Sequence, residues 1–120
     1  RTAEKPLSPG MKYRHYSPET PLFIIKDESS LKKLLQSGLP ENTALILSDE
    51  WASKYGPGLK DIKVIKMGPR ERPELIAAGI FQLLRYLDTL SLDRAYIEAI
   101  PEKGIGEAIM NRIRKASSRE

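Results

Sequence analysis

The 120-residue sequence predicts a three-layer α/β domain built on a mainly parallel sheet of about four to five strands. Two observations carry that prediction. Short, continuous apolar runs alternate with segments of helical periodicity, and each run is followed by a capping or turn signal. Strands that alternate with helices pair in parallel through right-handed crossovers, which places helices on both faces of the sheet.

Leu22-Phe23-Ile24-Ile25 is the first run, with no polar residue on either face, as expected of a strand buried on both sides. Ser29 or Ser30 can then cap a helix that carries Leu31, Leu34 and Leu35, and Gly38 is placed to stop it. Ala44-Leu45-Ile46-Leu47 is a second buried strand. Ser48 or Asp49 can cap the short helix after it, which Gly56-Pro57-Gly58 terminates. Ile62-Lys63-Val64-Ile65 is a third strand, and Lys63 marks it as an edge or a partly exposed face.

Met67-Gly68-Pro69 turns the chain, and Pro73 suits the first turn of the longest helix. Ile76, Ile80, Leu83, Leu84, Leu87 and Leu90 form its apolar stripe. A fourth strand runs from Ala95 to Ile97 or a little beyond. A last helix begins near Gly104 to Gly106, with Ile105, Ala108, Ile109, Ile113 and Ala116 as its buried stripe. Arg112, Arg114 and Lys115 crowd its last turn, where cations favour the helix dipole. The result is Rossmann-like or flavodoxin-like in character, with the strand order left open.

Residues 1–21 read differently, as a semi-rigid extended linker. Pro6, Pro9, Pro18 and Pro21 lie there, and proline removes a backbone donor and fixes φ. Within this stretch, Lys12, Tyr13, Arg14, His15 and Tyr16 are too aromatic and cationic for an inert spacer. Basic residues interleaved with aromatics suit nucleotide or nucleic-acid contact; packing of the tyrosines on the chain's own domain is the equal alternative. Residues 22–120 form the globular domain.

Composition excludes several chemistries. With no cysteine there is no disulfide framework, thiolate metal site or cysteine nucleophile, and a reducing compartment fits. A single histidine, His15, rules out any mechanism needing two within the chain. No apolar run approaches the roughly 20 residues of a membrane span. The formal net charge of +4 resolves into +2 over residues 1–20, +3 over residues 103–120 and −1 between them. The beginning at Arg1 reads as a piece cut from something longer.

No catalytic constellation emerges. Gly104-Ile105-Gly106-Glu107-Ala108-Ile109 begins like a dinucleotide fingerprint but has Ile109 where the third glycine belongs. Close packing at a helix start is the better reading, with Gly104, Gly106, Asn111 and Arg112 kept as anion or domain contacts. Ser48-Asp49-Glu50 follows a strand at its carboxyl end, where α/β sheets place sites, and could coordinate magnesium or act as an acid/base pair. A helix cap is the simpler reading. Glu98 and Glu102, flanking the fourth strand's exit, carry the same two readings.

The string Ser8-Pro9-Gly10-Met11-Lys12-Tyr13-Arg14-His15-Tyr16-Ser17-Pro18 resembles the interdomain linker of two-domain threonylcarbamoyl-AMP synthases, whose N-terminal domain is YrdC-like. Glu98 through Pro101 and Gly104 through Ala116 are similar to that family's C-terminal segment. The resemblance implies an accessory or regulatory C-terminal domain. The parent would make threonylcarbamoyl-AMP from threonine, bicarbonate and ATP, using magnesium, for threonylcarbamoyladenosine modification of tRNA. It implies a cytoplasmic nucleotidyltransferase whose catalytic residues all lie in the YrdC-like domain, acting in cis. The fragment alone would be inactive, binding no cofactor and holding no metal. Lys12, Tyr13, Arg14, His15 and Tyr16 would form a lid touching nucleotide. The alternatives are a module binding tRNA or a modification-pathway protein, and a standalone nucleotide or small-molecule sensor.

Overall fold

The computed structural model describes residues 18–117. Four strands, β1 (Leu22–Ile25), β2 (Thr43–Leu47), β3 (Ile62–Lys66) and β4 (Arg94–Glu98), form one sheet in the order β1-β4-β2-β3, with every pairing parallel. The helices are α1 (Glu28–Ser37), α2 (Asp49–Tyr55), α3 (Pro73–Asp88) and α4 (Ile105–Ala116), and a 3₁₀ turn at Gly56–Gly58 follows α2.

The layering follows from crossover handedness. From β1 to β2 and from β2 to β3 the chain steps in one direction, so right-handed connections put α1 and α2 on one face. From β3 to β4 it steps back, which puts α3 on the other face. Ile25, Leu45 and Leu47 accordingly pack with Leu31 of α1 and Ala52 of α2. Ala44, Ile46, Ala95 and Ile97 pack with Ile76, Ile80 and Leu84 of α3, and with Ile109 and Ile113 of α4. β2 is central and all five of its residues are buried, which is why its sequence shows no polar alternation. β3 is an edge, and Lys63 and Lys66 are exposed along it.

Three expectations are corrected. The cap of α1 is Asp27, before either serine: its backbone is extended (φ −158°) and its carboxylate accepts the Ser30 N–H at 2.8 Å. α3 ends at Asp88, so Leu90 lies past the helix and packs on the core from the loop. In α4, Ile105 and Ala108 face outward, Ile105 being 48% exposed, while Gly106 and Met110 face in. Gly106 sets this rotation. A Cβ built on it would sit 2.0 Å from the Pro101 carbonyl oxygen, so only glycine admits that backbone approach. Met110, one turn on, then meets the sheet, and its Sδ accepts the Ile100 N–H at 3.3 Å.

The chain reaches β1 at the opposite edge from the strands' carboxyl ends. There Asp88, the last residue of α3, accepts hydrogen bonds from the Glu19 and Thr20 N–H groups and from the Thr20 hydroxyl, each at 3.1 Å. No helix among the described residues is long and apolar enough to cross a membrane.

Candidate functional site

In this strand order the helices that follow neighbouring strands leave to opposite faces, so the loops part at the carboxyl edge of the sheet, where open α/β sheets take ligands. Three loops meet there. Ser48 leads β2 into α2, Arg70 lies in the turn after β3, and Glu98 closes β4.

Glu98 has no exposed surface. One carboxylate oxygen accepts the Ser48 N–H at 2.7 Å, and the other receives Arg70 Nη1, which also donates to the Ala99 carbonyl at 3.2 Å. Burial pushes the Glu98 carboxyl above the usual carboxylate range; the Ser48 hydrogen bonds and the Arg70 charge oppose that shift without overcoming it. Ser48 is the cap of α2, its Oγ accepting the Trp51 N–H at 3.2 Å. The Trp51 ring lies against the Arg70 guanidinium, 5.0 Å from centroid to carbon. Glu50 accepts the Arg70 N–H at 2.8 Å, and that hydrogen bond is the main cause holding its carboxyl below the usual range. Asp49 N–H donates to the Gly68 carbonyl at 2.9 Å.

Chemically this is a clamp. Two acids at the edge have structural partners: Glu98 holds two loops to the end of β4, and Glu50 holds the Arg70 turn to α2. Glu102 is surface-exposed and forms an ion pair with Arg114 at 2.9 Å. Ser48, Asp49 and Glu50 form the start of α2, with Ser48 as the cap and both acids in the first turn; among the described residues no three His, Cys, Asp or Glu side chains converge.

The second expected site lies at the start of α4. Gly104 adopts φ +57°, a conformation that favours glycine, and precedes the helix without a side-chain cap. Gly106 is buried against Pro101, as close packing requires. Asn111 and Arg112 are not brought to these glycines. Asn111 Oδ1 accepts a hydrogen bond from Arg114 at 2.9 Å, and the Arg112 guanidinium lies 4.1 Å from the centre of the Phe81 ring on α3. Lys12, Tyr13, Arg14, His15 and Tyr16 lie outside the described residues.

The family model for the threonylcarbamoyl-AMP synthase C-terminal domain matches residues 1–118. The chain belongs to that family. The threonylcarbamoyl-AMP synthase of Bacillus subtilis (strain 168) is 35% identical over 119 residues, covering 95% of this chain and 33% of the relative. The synthase of Schizosaccharomyces pombe is 35% identical over 123 residues, covering 94% of this chain and 30% of the relative. A crystal structure of P. abyssi Sua5 complexed with L-threonine matches with a TM-score of 0.63 at 30% identity, over 98% of this chain and 34% of that one. The chain thus spans about a third of the length of the curated relatives it matches.

For this threonylcarbamoyl-AMP synthase C-terminal domain, the sequence reading missed Arg70 and Trp51. Arg70 follows Gly68-Pro69 at the carboxyl end of a strand, and that position is the one signal that could have singled it out. Trp51 lies within the short helix, where no spacing signal marks it.

Proposed function

We propose that this chain serves as the accessory C-terminal domain of a parent nucleotidyltransferase that makes threonylcarbamoyl-AMP from threonine, bicarbonate and ATP for tRNA modification in the cytoplasm. The match of the C-terminal-domain family over residues 1–118 carries this reading, together with the chain covering a third of the named synthases. At the carboxyl edge the Glu98 and Glu50 carboxylates already hold loops of this domain together. ATP and magnesium therefore belong, in this proposal, to the preceding YrdC-like domain, and no step is routed through the residues described above.

The linker supplies the coupling. Lys12 and Arg14 offer charge to phosphates, and Tyr13, His15 and Tyr16 offer stacking and hydroxyl contacts. A lid of this composition closing over the neighbouring cleft excludes water, which matters because a carbamate–phosphate anhydride hydrolyses readily. Replacing Tyr13, Arg14 and Tyr16 with alanine in the parent lowers adenylate yield or raises unproductive ATP hydrolysis. Unchanged yield and coupling, measured by chromatography of AMP, adenylate and pyrophosphate, refutes the lid.

A further inference from the structure

Helices α3 and α4 both leave the carboxyl edge of the sheet and lie side by side, and their shared outer face is grooved. Ala77 of α3 and Ala108 of α4 line it above the buried Ile80 and Ile109, beside Phe81 with Arg112 laid over its ring. The groove widens towards Lys115 on one side and Arg85 on the other. Among the described residues no acidic side chain lines it. Arg112 and Lys115 have no carboxylate partner among the described residues, whereas Arg70, Arg72 and Arg114 each hold one. The two alanines let another backbone approach closely, and the stacked guanidinium is already ordered, so little side-chain entropy is lost on contact.

We infer that this groove is the docking surface for an acidic patch on the domain that precedes the linker in the parent protein; the inference rests on the two-domain reading proposed above. Charge complementarity gives the sign of the partner. Position gives its source. Asp88 fixes Thr20 at the end of α3, the same end at which Arg85 and Lys115 open the groove, so the tether to a preceding domain is anchored beside it. The 17 residues before Pro18 span at most about 60 Å when extended, against about 24 Å for the 16-residue α3. A tether of that length holds the preceding domain at an effective concentration near the millimolar range, where a modest polar interface suffices. The linker itself is a poorer occupant, because residues 1–20 carry a net +2 into a basic groove.

The test uses the parent protein, with Gln82→Cys as a labelling probe on the groove wall in a domain that has no cysteine of its own, and with any cysteines of the preceding domain replaced. In 50 mM salt the probe should react with a maleimide several-fold more slowly than after Arg112→Glu/Lys115→Glu reversal. The reversed protein should also show a larger radius of gyration in solution scattering. Arg112→Gln/Lys115→Gln, which removes charge without reversing it, should fall between, and raised salt should mimic it. Circular dichroism at native values separates undocking from unfolding. Equal labelling rates and unchanged scattering in all three proteins overturn the inference. So does an unchanged shape accompanied by loss of salt-sensitive RNA binding, which would assign the groove to nucleic acid. Synthase activity is not among these readouts, so failure of the functional proposal and failure of the docking surface remain distinguishable.

Discussion

The Glu98 carboxylate, fully buried at the end of β4, accepts the backbone N–H of Ser48 at 2.7 Å and so joins the last strand of the sheet to the start of α2. The same carboxylate faces the Arg70 guanidinium. A buried carboxylate held by one arginine is sensitive to loss of that arginine.

Arg70→Met should destabilise the domain by about 2–4 kcal/mol at pH 8, below the roughly 3–5 kcal/mol of a fully buried pair because Arg70 is partly exposed. The substitution removes a cause that lowers the Glu98 pKa, so the folded-state value rises further. A carboxyl with a raised folded pKa favours the folded state most when protonated, and that contribution is lost as pH rises from the unfolded value through the folded one. The penalty should therefore shrink at pH 5. Urea unfolding at the two pH values measures this, and an equal penalty at both refutes it.

Gly106→Ala should be far more damaging than Gly104→Ala. The first places a methyl 2.0 Å from a backbone oxygen that cannot yield without moving α4, costing about 3 kcal/mol or more. The second meets nothing within 4 Å and incurs only the backbone strain of φ +57°, ψ −127°, about 1–3 kcal/mol. Thermal melts of the pair rank them directly.

Thr43→Val should leave stability unchanged or raise it by about 1 kcal/mol. The Thr43 hydroxyl is fully buried without a partner among the described residues, and an isosteric methyl removes that desolvation cost. A clear loss of stability in denaturant titration would show that the hydroxyl is in fact satisfied.

Asp88→Ala should free the chain ahead of β1. The buried Thr20 loses the acceptor for both its N–H and its hydroxyl, at a cost of about 1–3 kcal/mol. Amide exchange at Thr20 should speed up while Ile46, in the central strand, keeps its protection.

The strands, the β3 edge and most of the α3 stripe were legible because they depend on apolar period and, at Lys63, on lysine placement. The sheet order was not, since nothing local in Arg94–Glu98 states that β4 slots between β1 and β2. The carboxyl-edge clamp was half legible. Ser48 and Glu98 stood at strand ends and drew attention singly, but their contact joins residues 50 apart in sequence. Arg70 carried no motif at all. The outward turn of Ile105 was hidden for a different reason: an apolar stripe of 105, 108, 109 and 113 fits helical spacing as well as 106, 109, 110 and 113 does. Only the Gly106–Pro101 approach decides between them.

The place of β4 governs when this domain can form during synthesis. β1 and β2 emerge early but do not touch as strands; each waits for a partner encoded some 50 to 70 residues later. Until Arg94–Glu98 has left the ribosome, the growing chain exposes Leu22–Ile25 with no neighbour, and only β2 and β3 can pair. Such late, non-local closure makes folding slow and leaves strand edges exposed to aggregation. Chaperone dependence and truncation sensitivity should therefore concentrate in the last quarter of the sequence, where the residue that joins the sheet also carries the buried carboxylate.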